Sequence, residues 1–351
     1  MNWIMKGLLW LVSIAIILVG VLLGYLTITE YRPADSQEVQ ITKLTTEASA
    51  KTNHNITIVS MNTGYGGLDK AQDFFLDGGK TGGASEKAIV DNNVKQMISS
   101  LHNLHADMYL LQEVDQNAWR SFSVNQSRHY HNALAGDSAF ALNYQCEFVP
   151  IPLPPMGKVS SGVQTISSFS IQEATRESLP VPFSWPLRLA NLKRCLLVTR
   201  IDVQDTDKEL VVINLHLEAY DHGEGREVQL RELNHFMYTE YKKGNYVVAG
   251  GDFNANFPQA QWPVVEEGGW LPGQLYESDI PSGFSLVCDE KIPTGRSLKT
   301  PYNGNRNTTQ FYGIDGFIVS DNIRVGAVET IDYNFSHSDH NPVQIQLTLL
   351  P

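Results

Sequence analysis

Cysteine is scarce. Cys146, Cys195 and Cys288 are the only three in 351 residues, odd in number and far apart. That excludes a disulfide framework and any zinc site built from closely spaced pairs. One disulfide stays open to them; otherwise they read as small buried apolar residues. Positive charge is also short, with 26 Lys and Arg against 38 Asp and Glu, a net charge of −12. Residues 1–32 carry only Lys6, Arg32 and Glu30, so the rest holds 24 basic and 37 acidic residues, a net of −13. A broad basic surface for non-specific nucleic-acid binding is excluded. Nucleic acid is not indicated by charge and remains open only as a substrate of a site whose own cations offset the acidity. The phosphate-binding GxxxxGK[ST] pattern is missing too. Gly78-Gly79-Lys80-Thr81 comes nearest and lacks the first Gly. We find no internal repeat and no low-complexity tract in the soluble part.

Charge is wholly absent from Gly7 to Leu26, 20 residues rich in Leu, Ile and Val. That run is long enough to cross a bilayer as a helix. Trp3, Trp10 and Tyr25 stand near its ends as interface anchors. A cleaved signal peptide competes with this reading, but its apolar core would be shorter and no small-x-small site follows. Lys6 before the span puts the N-terminus in the cytoplasm and the bulk of the chain outside. The expected organisation is a cytoplasmic tip and transmembrane anchor over 1–32, a flexible linker over 33–55, and one large domain over 56–351. The expected location is the cell membrane, single-pass, with the large domain extracytoplasmic and monomeric.

The large domain reads as strands and two helices. Ile56–Met61, Met108–Leu111, Phe140–Val149, Gly162–Ser168, Arg194–Val203, Glu209–Leu215, Val247–Ala249, Gly313–Val319, Val325–Ile331 and Val343–Leu349 have strand patterning. Glu86–His105 carries Val90, Val94, Met97, Leu101 and Leu104 on one face, with Ser85 placed to cap it. Glu224–Lys243 is the second helix. Residues 173–193 read as irregular, and 262–301 show no clear pattern.

Polar residues recur in or beside these strands, mostly near their ends: Asn62, Glu113, His216, Asp252, Asn254, Asp315, Asp339 and His340. Singly, each fits a turn or a satisfied core residue. In VVAGGDFN, Val247–Asn254, continued strand geometry would point Asp252 and Asn254 to one side. In order, the blocks Ser60-Met61-Asn62, Leu111-Gln112-Glu113-Val114, Ser161-Gly162-Val163, Asn214-Leu215-His216-Leu217, Gly251-Asp252-Phe253-Asn254, Ile314-Asp315-Gly316-Phe317 and Ser338-Asp339-His340 resemble the endonuclease/exonuclease/phosphatase superfamily. It includes pancreatic-type deoxyribonucleases, abasic-site endonucleases and neutral sphingomyelinases. The anchor and the Gly- and Pro-rich loops look like its membrane-anchored bacterial members.

The resemblance implies an α/β (α+β) four-layer sandwich, two packed mixed β-sheets flanked by helices, with the site at one rim. It implies a hydrolase using Mg²⁺ or Mn²⁺ held by Glu113, Asn62 and Asp339. Asp252 would orient or deprotonate water, and Asn254 would hold the phosphate or that Asp. His340, fixed by Asp315, and His216 would serve the phosphate and leaving oxygen. Gly250 and Gly251 would leave room for the phosphate. The implied partner is a phosphate ester: a lipid headgroup, nucleic acid or small phosphodiester. Alternatives are a phosphomonoesterase or a non-catalytic binding module on the same fold.

Overall fold

Strands dominate because apolar residues alternate or run continuously between turns. The computed structural model describes residues 3–44, 48–221 and 223–351. One seven-stranded sheet takes, in spatial order, β1 (Ser36–Glu38), β7 (Ile171–Ser178), β8 (Cys195–Asp202), β9 (Glu209–His216), β10 (Tyr246–Asp252), β16 (Asp315–Ser320) and β13 (Phe284–Val287). The second takes β17 (Ile323–Thr330), β18 (Val343–Leu349), β3 (Asn55–Asn62), β4 (Met108–Asp115), β6 (Gly157–Ser167), β5 (Asp137–Val149) and β2 (Ile41–Thr42). Two short ladders join β11 (Ala255–Asn256) to β12 (Gly273–Gln274) and β14 (Gly295–Arg296) to β15 (Phe311–Tyr312).

The sheets pack face to face over Ile58, Leu110, Val212, Val248, Phe317 and Ile345. Burying each such side chain contributes about 1.5–3 kcal/mol. One polar stitch crosses this layer. Gln112 Nε2 donates to Asn214 Oδ1 at 2.8 Å, and Asn214 Nδ2 donates to the carbonyls of Leu111 and Gln164. Outside, α4 (Glu224–Lys242) turns Leu230, Leu233 and Met237 onto the β10 sheet. On the other side α2 (Lys87–His102) and α3 (Gln126–Leu134) cover the β3 sheet with Val90, Val94, Met97, Tyr130 and Leu134. This is the four-layer sandwich expected from the sequence.

Several elements differ from the sequence reading. Within 173–193, Ile171–Ser178 is a strand; its polar residues sit near a sheet edge, where alternation fades. The nine-residue α3 is mostly polar and buries too short an apolar stripe to stand out. Glu86, not Ser85, precedes the first turn of α2, and its side chain caps nothing. Gly250 and Gly251 have a packing reason as well. A Cβ on Gly250 would meet the Phe317 ring at 2.5 Å, and one on Gly251 (φ +150°) the Leu215 carbonyl at 2.0 Å.

The N-terminal apolar helix α1 runs from Trp3 to Ile28. The chain after it is not the free tether read over 33–55. β1 pairs with β7, β2 pairs with β5, and Ala50 is buried beside Val203. Pairing by backbone alone leaves no mark in composition, which is why the segment looked unstructured. The helix is itself seated on the domain. Leu22, Leu23 and Leu26 pack with Tyr144, Val149, Met156 and Leu189. Trp185 Nε1 donates to Thr27 Oγ1 at 3.1 Å, and Glu30 pairs with Arg32, Arg188 and Lys193. All three cysteines are free.

Candidate active site

Strand pairing brings the polar ends to one rim. Parallel β3 and β4 set Asn62 beside Gln112, one residue before Glu113. Parallel β9 and β10 set His216 beside Asp252, and antiparallel β16 sets Asp315 on the other side of Asp252. Asp339 and His340 come from the loop just ahead of β18, where His340 bridges to Gly295.

Glu113 reaches the rim through a bulge. The β4–β6 register shifts between Leu111 and Val114, and Glu113 takes φ +54°. A left-handed conformation at a non-Gly residue costs about 1–2 kcal/mol, and here it re-aims a carboxylate. Thr63 Oγ1 supports the bulge by donating to the Gln112 and Glu113 carbonyls at 3.0 and 3.1 Å.

The side chains then interlock. Asn62 Nδ2 lies 3.1 Å from Glu113 Oε1 and 3.0 Å from Asp252 Oδ2. Asp252 Oδ2 is 3.5 Å from His216 Nε2 and 3.8 Å from His340 Nε2. His340 Nδ1 and Asp315 Oδ2 are 2.8 Å apart, a hydrogen bond that leaves Nε2 facing Asp252 and Asp339. Asn254 does not continue the strand. It turns at φ +49°, its Nδ2 donates to the Leu217 carbonyl, and its backbone N–H donates to Asp252 Oδ1 at 2.9 Å. So Asn254 holds Asp252 by its main chain, not its carboxamide. Seven of the eight residues line one cavity of about 480 Å³; Asp315 stands behind His340.

Burial sets the charges. It raises the carboxyl of Asp252, helped by the Asp315 charge, to about 6. It raises those of Glu113 and Asp339 as well. His340 moves well above the usual imidazole value, because Asp315, Asp339 and Asp252 together outweigh the burial that opposes its charge. His216 moves well below it through burial and the nearby Arg194 cation. The two imidazoles therefore differ: their surroundings favour the cation at His340 and the neutral ring at His216.

Glu113, Asn62 and Asp339 suit a hard divalent cation. Glu113, half-buried, and Asp339, buried, are carboxylates whose charges repel, and Asn62 offers an amide oxygen that also accepts from the Gly64 N–H at 3.0 Å. Gly64 lets the Asp339 carboxylate approach the backbone, since a Cβ there would lie 2.7 Å from Asp339 Oδ1. A tighter group, Asp252, Asp315 and His340, has ligand atoms within 4.8 Å of one another. We read that group as a proton relay, since the His340–Asp315 hydrogen bond already occupies it. The looser Glu113 side leaves room for a cation that keeps several waters.

Sequence reasoning missed the braces. Arg120 grips Asp115 with two hydrogen bonds under the Tyr65 ring. Arg194 pairs with Glu218 and donates to the His216 carbonyl. Both are buried ion pairs between residues with no mark in the chain order. Tyr65 and Tyr220 line the cavity, as does Pro150, whereas Arg226 does not.

Asp77 lines it too, and its Oδ1 accepts from the Tyr220 hydroxyl at 2.8 Å. Burial pushes its carboxyl from 3.8 up to about 6. A folded value above the unfolded one means the folded state holds more protons between them. Stability therefore falls as pH rises from about 4 to about 6, and the loss persists above. Asp77→Asn removes the buried charge and keeps an acceptor. In EDTA, its melting temperature should match the parent's near pH 4. Near pH 7.5 it should exceed the parent's, by an amount worth on the order of 2–3 kcal/mol. Equal melting at the higher pH would contradict the buried-charge account.

Two stacked mixed sheets with a metal-ready acidic rim beside a His–Asp pair define the class of α/β phosphoesterase sandwiches. The chain belongs to the Endonuclease/Exonuclease/phosphatase family, whose model matches residues 77–340. Members are generally metal-dependent hydrolases of phosphoester bonds. Similar folds include an endonuclease/exonuclease/phosphatase from Beutenbergia cavernae DSM 12333, at 16% identity over 85% of this chain and 72% of that one, TM-score 0.57. A family protein from Bacteroides thetaiotaomicron is 17% identical over 89% and 96%, TM-score 0.53. Humanized D. rerio TDP2 is 13% identical over 84% and 99%, TM-score 0.51. At these identities the likeness concerns the fold. No curated protein matches the sequence.

Proposed function

We propose that the chain is a membrane-anchored, divalent-metal-dependent phosphodiesterase that attacks phosphorus with water. The observation that carries this is Asp252 Oδ2 held between His216 Nε2 and His340 Nε2 and fixed by Asn62. Glu113, with Asn62 and Asp339, would hold Mg²⁺ or Mn²⁺. When bound, that ion offsets the charge of the phosphate and of the developing oxyanion. Asp252 takes the proton of the water as its oxygen bonds to phosphorus. His340, cationic and oriented by Asp315, gives a proton to the ester oxygen that leaves. His216, neutral, donates a hydrogen bond to a phosphoryl oxygen. α1 would span the cell membrane once, with the catalytic domain outside and monomeric.

Bis-p-nitrophenyl phosphate tests the reading. With Mg²⁺ or Mn²⁺ the protein should release nitrophenolate, and EDTA should stop it reversibly. Metal-independent turnover would sink the metal-dependent reading, and no turnover on this substrate, on p-nitrophenyl phosphate, on DNA or on phospholipid would sink the enzyme reading. Turnover of p-nitrophenyl phosphate alone would make it a phosphomonoesterase.

A further inference from the structure

We propose that the substrate is a membrane lipid carrying a single phosphate, drawn from the bilayer with its hydrocarbon lying against Leu22, Leu23, Ile151 and Leu187. This rests on the phosphoesterase reading and on α1 as the span.

The cavity lined by Glu113, Asp252 and His340 is lined also by Leu22, Leu23 and Leu26 of α1. One space thus joins the polar rim to the anchor helix. Depth follows from length. α1 has 26 residues, about 39 Å at 1.5 Å each, whereas a hydrocarbon core is about 30 Å thick and takes about 20 residues. Counted from Gly7, the first residue after Lys6, the core ends near Leu26. The leucines of the cavity wall therefore stand where hydrocarbon meets headgroups.

The mouth is apolar on the domain side as well. Ile151 is 54% exposed and Leu187 63%, and both line the cavity. Leu153, at the tip of the same Pro-rich loop, is 87% exposed, and Trp185 lies beside Thr27 of the helix. Large apolar side chains left exposed together mark a surface that meets another apolar phase. Trp suits the level of the headgroups.

Charge separates a lipid from a polyanion. Two of the three arginines lining the cavity are committed to carboxylates, Arg120 to Asp115 and Arg194 to Glu218; Arg296 gives its terminal nitrogens to the carbonyls of Ser297, Asp69 and Gln72 and keeps Nε unpartnered, a single guanidinium beside the rim. Among the described residues no basic track is left in the cavity to follow a nucleic-acid backbone or a cluster of phosphates. One phosphate at the polar rim and an apolar tail at the mouth use what the cavity offers. Outside it, Arg32, Arg188 and Lys193 gather around the single carboxylate of Glu30, suited to an anionic bilayer surface.

The test uses the full chain reconstituted in vesicles of phosphatidylcholine, phosphatidylethanolamine, phosphatidylglycerol and phosphatidic acid. Phosphorus NMR should show at least one of these lipids cleaved about tenfold or more faster than its deacylated, water-soluble counterpart, the worth of about 1.4 kcal/mol of apolar contact. Ile151→Asp and Leu187→Asp should lower the ratio of lipid to bis-p-nitrophenyl phosphate turnover by a similar factor. Equal rates on the deacylated esters, an unmoved ratio, or preference for DNA would overturn the lipid assignment. With bis-p-nitrophenyl phosphate still cleaved, the phosphoesterase reading would survive. A second measurement needs no turnover. A photoactivatable phospholipid in the same vesicles should label residues 149–156 and 187–192 of the Glu113→Gln protein. Labelling confined to α1 before Leu22 would refute the entry route whatever the enzyme hydrolyses.

Discussion

Glu113→Gln should cost at least about 10³-fold in turnover, chiefly by weakening the cation. The substitution keeps the shape and removes one of the few anionic oxygens facing the ion; a Mg²⁺ site built on one or two carboxylates loses much of its attraction when one goes. Manganese titration by calorimetry should show the affinity falling, and excess Mn²⁺ should recover part of the rate. The bulge should persist, because Thr63 grips main-chain carbonyls rather than the Glu113 side chain. Parental metal affinity in this variant would move the ion elsewhere, with the Asp252, Asp315 and His340 group the first place to look.

Asp315→Asn should cost about 10²–10⁴-fold with the fold intact, as the loss of a carboxylate that orients a catalytic imidazole does elsewhere. Asp315 is fully buried and takes His340 Nδ1 at 2.8 Å. A carboxamide there can present N–H instead of an acceptor, which reverses the tautomer of His340. It also removes the first of the charges that keep His340 cationic. In the parent, rate should rise as Asp252 loses its proton, near pH 6, and fall where His340 deprotonates, above the ordinary imidazole range. The variant should bring that alkaline fall down toward neutrality. An unchanged alkaline limb would show that His340 is not the proton donor.

The residues of the site were legible because strands announce their own ends. An apolar run closing on a polar residue is a local pattern, and Asn62, His216 and Asp252 all follow one. Their convergence was not local. It depends on β3 lying parallel to β4 and β9 parallel to β10, pairings between segments far apart in the chain. The Glu113 bulge was invisible for a related reason: one extra residue changes the facing of a side chain without changing composition. Asn254 shows the limit of strand logic, since β10 ends at Asp252, two residues before it. Gly250 and Gly251 were given a ligand's reason, and the Phe317 ring and a neighbouring strand supply a packing one. The braces Arg120–Asp115 and Arg194–Glu218 could not be paired from spacing at all.

The seating of α1 has a mechanical consequence. A span joined by slack chain would lean in the bilayer without disturbing what hangs from it. This one is clamped by three leucines, Trp185 and the Glu30 ion pairs. In the membrane-spanning arrangement, lean becomes a motion of the whole molecule. Where the hydrocarbon is thinner than the helix requires, the helix would tilt and carry the domain over with it, lowering one side of the mouth and lifting the other. The thickness of the surrounding lipid would thereby act as a lever on the reach of the domain, without any molecule binding to it.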